Sequence, residues 1–136
     1  MKIMSFLKPK NEVIYIYDDT SVKAALEEME KYRFASIPMI DREGRYVGTI
    51  TEGDFLWEIK KLSDFNLKKA ESLLSGAIHR HRDYVPVKLN ANMDDLILKA
   101  ADQNFVPIID DAGVLVGIVT RKMILNYFFD HKFIVL

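Results

Sequence analysis

The sequence contains one segment twice, and this duplication constrains the fold more than any other feature. The segment Ile37–Asp54 returns sixty-nine positions later as Val106–Met123. The positions that carry the same residue in both copies at that spacing include Pro38/Pro107, Asp41/Asp110, Gly44/Gly113, Gly48/Gly117 and Thr51/Thr120. Matching residues at a constant spacing predict two copies of one supersecondary unit that share a core.

The first copy has the pattern of a strand, a turn, a second strand and a helix start. Pro38 argues against helix, so Ile37–Ile40 is predicted as a strand. Asp41–Gly44 is typical of a tight turn in which the glycine adopts a left-handed conformation. The apolar run Arg45–Ile50 predicts the returning strand, and Thr51 predicts the start of a helix.

Each copy is preceded by a further strand and an amphipathic helix. In the first unit, Glu12–Ile16 is predicted as the strand, and Asp18–Ser21 supplies residues that cap helices. The second unit begins at Tyr84–Val87. The apolar residues expected on one face of each helix are Val22, Ala25, Leu26 and Met29 in the first unit, and Met93, Leu96, Ile97 and Ala100 in the second.

These elements predict an α+β fold of two pseudo-symmetric repeats, each strand–helix–strand–strand–helix, packed as one module. The predicted divisions are residues 3–62 for the first repeat, 63–76 for a connector and 77–130 for the second repeat. Within and after the connector, a helix is predicted over Asp64–Leu74, and Ser75-Gly76 and His79–Arg82 are predicted to be exposed. The apolar tail Ile124–Leu136 favours contact with a partner.

The composition excludes several classes of function. The chain of 136 residues is 49% hydrophobic and 29% charged, with a formal net charge of −1, which argues against a nucleic-acid binder that works by bulk charge. It has no cysteine and three histidines without metal-ligand spacing. No apolar run approaches the roughly 20 residues of a membrane helix. The default expectation is a cytoplasmic, metal-free protein without membrane contact.

The two predicted helix starts carry the candidate site residues. In Thr51-Glu-Gly-Asp54, spacing alone leaves two interpretations open. Thr51 and Asp54 could form a capping box that satisfies free backbone N–H groups. Alternatively, the helix N-terminus could bind a phosphate while the Asp54 carboxylate accepts hydrogen bonds from both hydroxyls of a ribose.

The second helix start differs from the first in charge. Thr120-Arg-Lys-Met123 has no acid at the fourth position and places two cations in the first turn, where they oppose the helix dipole. A bound anion would turn that cost into a favourable contact, and the planar guanidinium of Arg121 suits a phosphate. A solvated surface pair of Arg121 and Lys122 is the alternative. Likewise, Arg80 and Arg82 could reach a phosphate or belong to a solvated linker.

The duplicated pattern x-Pro-x-Ile-Asp-x-x-Gly-x-x-Val-Gly-x-x-Thr, each copy preceded by a strand and an Ala/Leu-rich helix, resembles a pair of CBS domains, also called a Bateman module. The resemblance covers the chain from about Ile3 to about Phe129. It implies a module that binds adenine nucleotides in clefts between the two repeats, forms homodimers and regulates another protein.

The resemblance also implies two ligand clefts of different composition. Thr51 and Asp54 match the family's ribose- and phosphate-binding Thr-x-x-Asp. The residues expected to complete the first cleft are Tyr84 and Val85 of a strand and Asn104 and Phe105 of a loop. The second cleft would combine Thr120 and Arg121 with the strand residues Val13 and Ile14 and the loop Ala35-Ser36-Ile37.

The sequence departs from the family pattern at two positions. Met123 stands where the family has its aspartate, which puts ribose binding in the second cleft in doubt. Phe105 replaces a usual small residue, and it could close the loop or stack on a base. The Thr-Arg-Lys start resembles bacterial CBS pairs that bind phosphate-rich adenine signals such as cyclic di-AMP.

The leading hypothesis is a stand-alone, non-catalytic sensor of an adenine nucleotide such as AMP, ADP, ATP or cyclic di-AMP, with no other cofactor. Its output would be read by an unidentified regulated protein. A ligand-free structural or dimerisation module, in which Thr51 and Asp54 only cap a helix, is the second hypothesis. An enzyme acting on nucleotides is disfavoured because no activated nucleophile or paired-carboxylate arrangement stands out.

Overall fold

A computed structural model describes residues 2–62, 67–81 and 83–130, which divide into two compact units. One unit comprises Ile14–Asp83, and the other combines the described residues up to Val13 with those from Tyr84 onward. The helices are α1 (Val22–Tyr32), α2 (Glu52–Lys61), α3 (Leu67–Glu71), α4 (Met93–Asp102) and α5 (Arg121–Asp130). The strands are β1 (Lys8–Pro9), β2 (Ile16–Tyr17), β3 (Ser36–Ile40), β4 (Tyr46–Thr51), β5 (Val87–Lys88), β6 (Phe105–Ile109) and β7 (Leu115–Thr120).

The unit Ile14–Asp83 is built on a three-stranded sheet in the order β2-β3-β4. Strand β2 runs parallel to β3, and β3 pairs with β4 as an antiparallel hairpin. Ser21 begins α1 by accepting a hydrogen bond from the Ala24 N–H at 3.1 Å. The core cluster joins the buried faces of the sheet and the helices: Ile16, Val22, Ala25, Met29, Ile37, Met39, Ile50, Phe55 and Ile78. The amphipathic spacing predicted for α1 is confirmed.

The other unit repeats this arrangement and adds one strand. Strand β5 is parallel to β6, β6 is antiparallel to β7, and β1 pairs with the free edge of β7, giving the order β1-β7-β6-β5. Asn92 begins α4 by accepting a hydrogen bond from the Asp95 N–H at 2.9 Å. Its core cluster is Ile3, Phe6, Val87, Leu96, Ala100, Val106, Ile108, Val119 and Ile124. The predicted order strand–helix–strand–strand–helix is therefore confirmed in both repeats.

The two hairpin turns are built alike, as the duplication predicts. Gly44 and Gly113 have φ angles of 85° and 83°, which glycine adopts without steric cost. Each ladder shifts register next to its turn. The aspartate that precedes each turn accepts two backbone N–H groups through Oδ1: Asp41 from Glu43 and Arg45, and Asp110 from Ala112 and Val114. Both turns are Asx-type motifs fixed by one carboxylate.

The predicted strand Glu12–Ile16 is wrong in its extent. Glu12 ends a 3₁₀ turn, and the ladder begins only at Ile16. Pro38 has no N–H to donate, so it removes a bond that would carry the parallel ladder further toward Val13. The strand expected around Tyr84 and Val85 is absent for the same reason, because Pro107 occupies the equivalent place and β5 contains only Val87 and Lys88.

The connector also differs from the prediction. Ser75 is fully buried rather than exposed, and its hydroxyl donates to the Thr20 carbonyl at 2.7 Å. The predicted helix Asp64–Leu74 is shorter in the structure: α3 spans Leu67–Glu71, Leu74 forms an isolated β-bridge with Ser21, and residues 63–66 lie outside the described part of the chain. In the tail, α5 ends at Asp130, and the expectation for residues 131–136 falls beyond the described residues.

Candidate functional site

The first helix start forms a complete capping box. The Thr51 hydroxyl accepts the Asp54 N–H at 3.2 Å, and Asp54 Oδ2 accepts the Thr51 N–H at 3.0 Å. A side chain on Gly53 would meet nothing closer than 3.7 Å, so the first turn of α2 is open at that residue. Thr51 and Asp54 therefore form the capping box that their spacing allows. The box places a carboxylate at the positive end of the α2 dipole.

Asp54 has a second attachment that the sequence did not indicate. Its side chain is only 3% exposed, and its other oxygen, Oδ1, accepts the His81 N–H at 3.0 Å. Both carboxylate oxygens are thus bound to backbone N–H groups. A buried carboxylate with two charge-assisted hydrogen bonds is held in one orientation.

Three residues that follow the connector attach to β4 beside this carboxylate, and we name Arg80, His81 and Asp83 the clip. Asp83 Oδ1 accepts the Thr49 N–H at 2.9 Å, and Asp83 Oδ2 pairs with Arg80 Nε at 2.7 Å. The Arg80 side chain lies against Gly48, where an added Cβ would come within 2.5 Å of Arg80 Nε. The clip therefore needs a glycine at position 48.

The expectations for the basic cluster have mixed outcomes. His79 and His81 are exposed as predicted, and their rings contact each other edge to face at a centroid distance of 5.0 Å. Arg80 is only 20% exposed in its side chain, because it pairs with Asp83. Arg82 lies outside the described residues. Among the residues that the structure describes, no group of three His, Cys, Asp or Glu side chains could hold a metal ion.

The second helix start keeps the threonine cap but not the acid. The Thr120 hydroxyl accepts the Met123 N–H at 3.1 Å. Arg121 turns back, and its Nε donates to the Ala100 carbonyl at 2.7 Å, near the end of α4. A cation at a helix C-terminus interacts favourably with the dipole, so Arg121 stabilises α4 in addition to any ligand it binds. Lys122 is exposed.

Tyr84 and Phe105 pack together behind the loop of the second repeat. Their ring centroids are 5.0 Å apart, and both side chains are buried in a small cluster with Val13 and Ile118. The Tyr84 hydroxyl also accepts the Asn104 N–H at 3.3 Å. Of the two roles expected for Phe105, loop closure is the one this packing provides.

Gln103 is a structural residue of this region that sequence reasoning missed. Its side chain is 5% exposed; Oε1 accepts the Val85 N–H at 2.9 Å, and Nε2 donates to the carbonyls of Val85 and Phe105 at 3.3 and 3.2 Å. The side chain substitutes for the ladder that Pro107 interrupts. The only sign of this role in the sequence is an amide residue, Gln103, directly after the amphipathic helix α4.

The corresponding loop of the first repeat has a similar backbone connection. The Ala35 carbonyl accepts the Glu52 N–H at 3.0 Å, as the Asn104 carbonyl accepts the Arg121 N–H at 2.9 Å. Ala35 is exposed, while Ser36 and Ile37 are buried. Ile14 is half-buried against the core of this repeat. Each loop is therefore tied to the first turn of the helix that follows its hairpin.

Apolar side chains remain exposed on the two helices that follow the hairpins. They are Leu56 and Trp57 on α2, and Leu125, Phe128 and Phe129 on α5, each between 45% and 64% exposed. A groove of about 530 Å³ lies between α1 and α2, with Met29, Phe34, Phe55 and Ile59 among its lining residues. None of the described helices is long and apolar enough to cross a membrane.

Comparisons with known proteins agree with the duplication. The family model described as CBS domain matches residues 5–61 and 76–130. An uncharacterised protein of Rickettsia prowazekii is 28% identical over 118 residues, which cover 87% of this chain and 35% of that protein. Inosine-5'-monophosphate dehydrogenase of Methanocaldococcus jannaschii is 29% identical over 117 residues, which cover 85% of this chain and 21% of the enzyme. The chain thus spans about a third or less of these relatives.

Among solved structures, the CbpB protein of Listeria monocytogenes in complex with c-di-AMP has a TM-score of 0.85 to this chain. The two sequences are 20% identical, and the match covers 97% of this chain and 98% of CbpB. At that identity the likeness shows the fold. The α+β architecture of two repeats is therefore shared along nearly the whole described chain.

Proposed function

Because the chain belongs to the CBS-domain family, with two domains in tandem, we propose that it is a non-catalytic regulatory module that binds an adenine nucleotide. The observation that carries the proposal is the buried Asp54 carboxylate at the N-terminus of α2. A carboxylate fixed there can accept hydrogen bonds from both hydroxyls of a ribose, while the positive end of the same helix dipole attracts a phosphate.

In this proposal the first repeat supplies an anionic group. Thr51 and Asp54 bind the ribose, and Ile14 and the loop Ala35-Ser36-Ile37 are proposed as further nucleotide contacts of this repeat. The exposure of Ala35 and the hydrogen bond from the Glu52 N–H to its carbonyl support the assignment of this loop, because they hold it at the first turn of α2.

The helix start of the second repeat supplies cations. Thr120 and Arg121 contact a phosphate, with Lys122 as a further cation, whereas Met123 offers no carboxylate to a ribose. The other residues proposed as nucleotide contacts are Arg80 and Arg82 for phosphate, and Tyr84, Val85, Asn104, Phe105 and Val13. An anionic ligand would offset the unfavourable position of Lys122 in the first turn of α5.

A ribose diol suits the carboxylate at the first helix start, and phosphates suit the cations at the second. AMP, ADP and ATP carry both groups, whereas the 3' oxygens of c-di-AMP are esterified, so that c-di-AMP offers phosphates and lone 2' hydroxyls. The complex of the Listeria CbpB protein with c-di-AMP supports placing c-di-AMP in the test. No additional cofactor is needed, and an intracellular nucleotide as ligand would place the protein in the cytoplasm.

We further propose a homodimer whose shape changes with the ligand and is read by another protein. The exposed Leu56 and Trp57 on α2, and Leu125, Phe128 and Phe129 on α5, support this assembly, because large apolar side chains that neighbour one another on an exposed helix surface are typical of contact surfaces. Nucleotide binding then acts by favouring one of two arrangements.

A second candidate function is a ligand-free dimerisation module. It is favoured by one observation: Asp54 already has both oxygens bound to backbone N–H groups. In that case Asp54 would serve only as a helix cap, and the exposed apolar side chains would account for the protein's activity.

The test is a thermal-shift panel with AMP, ADP, ATP and c-di-AMP, with GMP as a base control. A ligand at 100 times its dissociation constant adds about 2.7 kcal/mol to the free energy of unfolding, which raises the melting temperature by roughly 5–10 °C. Asp54→Asn should remove the shift, because the amide presents a donor where the carboxylate accepted. Ser21→Ala, which removes the cap of α1 outside the site, should melt lower but keep the shift. A panel without any shift at millimolar ligand would favour the dimerisation module.

A further inference from the structure

The clip of Arg80, His81 and Asp83 occupies the group that the proposed function assigns to the ligand. His81 donates its backbone N–H to Asp54 Oδ1, and Asp83 fixes the clip to the Thr49 N–H on β4. Arg80 closes the arrangement through its pair with Asp83. Asp54, beneath these contacts, is only 3% exposed.

A ribose cannot bind this arrangement without changing it. Vicinal hydroxyls donate one hydrogen bond to each carboxylate oxygen, and the donors must approach from solvent. Oδ2 is bound by the Thr51 N–H of its own helix start, and Oδ1 is bound by His81, twenty-seven positions later in the chain. The local bond belongs to the helix cap and can be shared, whereas the His81 bond holds a separate segment over the carboxylate.

We propose that the clip is an autoinhibitory contact, released from β4 when a diol-bearing nucleotide binds Asp54. This inference rests on the proposed function, because it takes Asp54 as a ligand group. Binding then has an apparent dissociation constant equal to the intrinsic value divided by the fraction of molecules with the clip open. Release of residues 80, 81 and 83 from β4 is then the conformational change that transmits ligand binding beyond the site.

Two variants weaken the clip without altering the carboxylate. Asp83→Asn replaces the charged partner of Arg80 and of the Thr49 N–H with a neutral amide. Gly48→Ala places a Cβ against Arg80 Nε and Asp83 Oδ1, at 2.5 and 2.7 Å, so the clip must move. Asp19→Asn is the matched control, because Asp19 forms an exposed pair with Arg42 at 2.7 Å in the same unit and does not touch β4 or Asp54.

The experiment measures AMP and ATP binding by calorimetry and the exchange rate of the His81 amide by NMR on the full chain. Asp83→Asn and Gly48→Ala should each tighten nucleotide binding, roughly tenfold if the clip is open in about a tenth of wild-type molecules, and Asp19→Asn should leave it unchanged. Saturation of the wild type with nucleotide should accelerate exchange of the His81 amide.

Three other results overturn the inference in different ways. Unchanged or weaker binding in both clip variants would show that the clip does not compete with the ligand. A His81 amide equally protected in the nucleotide-saturated protein would show that Asp54 binds the ligand with the clip in place. No binding by the wild type or by either clip variant at millimolar nucleotide would overturn the proposed function together with this inference.

Discussion

The two strand edges that carry Gly48 and Gly117 are equivalent in sequence but are covered in different ways. On β7, the backbone of Lys8–Pro9 pairs with Gly117 and Ile118 as an added strand. On β4, the side chains of the clip cover Gly48, and one aspartate bonds the Thr49 N–H. One edge is closed by a backbone ladder and the other by side-chain contacts, so uncovering the edge of β4 would break no ladder hydrogen bonds.

The two helix starts show the same division. Both keep the threonine cap, but the first adds a buried carboxylate and the second adds two cations. The duplicated scaffold is therefore retained in the prolines, turn glycines and caps, while the residues next to it have diverged. The two repeats are therefore equivalent in structure but not in the chemistry of their surfaces.

The largest expected effect comes from alanine at the two equivalent glycines. A Cβ at Gly117 would overlap the Lys8 carbonyl, which is backbone and cannot turn aside, whereas a Cβ at Gly48 meets the flexible end of Arg80. Gly117→Ala should lower the free energy of unfolding by about 3 kcal/mol, and Gly48→Ala by under about 1 kcal/mol. Urea denaturation of both variants checks this. Equal losses would break the distinction between the two edges.

An exchange of the residues at the fourth position of each helix start should have intermediate effects. Asp54→Met leaves the N–H groups of Thr51 and His81 without their acceptor and should cost about 2 kcal/mol. Met123→Asp adds an acid to the first turn of α5 beside Thr120 and should stabilise by about 0.5 kcal/mol. Chemical denaturation of each single variant measures both changes. A loss of stability in Met123→Asp would show that packing of Met123 outweighs the cap.

The smallest expected effect is on the stability of the protein at acid pH, through Asp41 in the first hairpin turn. The pKa of Asp41 is lowered from 3.8, mainly by the hydrogen bond from the Arg45 N–H, and further by the Arg45 side chain and the Glu43 N–H. A lowered folded-state pKa contributes stability above the unfolded value, which is lost as the pH falls through the folded one. Asp41→Asn should therefore flatten the fall of stability below about pH 4, while the surface variant Glu27→Gln should not. Denaturation midpoints measured from pH 2.5 to 6 in roughly half-unit steps decide it.

The fold was predictable from the sequence because its signals are local and occur twice. The turn glycines, the helix caps and the period of the apolar residues in α1 and α4 depend only on neighbours within a few positions. Pro38 and Asp41, each repeated in register, determined the hairpins. The length of β2 was not predictable in this way, because it depends on a missing N–H in a different strand.

The contacts of the candidate site were less predictable because they join residues far apart in the chain. Thr51 and Asp54 form the box that their spacing indicates. No sequence pattern indicates that the His81 N–H donates to Asp54, or that the Gln103 side chain takes the place of ladder hydrogen bonds beside Val85. Arg121 was identified as a cation near an anion site, but its bond to the Ala100 carbonyl depends on how α4 ends. A role that depends on a single long-range hydrogen bond produces no repeating pattern in the sequence by which it could be recognised.

The pairing of β1 with β7 has a consequence for how the protein is made. Lys8 pairs with Ile118, more than a hundred residues later, whereas every strand pair of the Ile14–Asp83 unit lies within that continuous segment. The second partner of the β1–β7 pair is synthesised only after the whole Ile14–Asp83 unit, and the pair closes at a loop-closure cost that grows with the length of the intervening chain. The continuous unit can therefore close during translation, before Lys8–Pro9 can pair with β7.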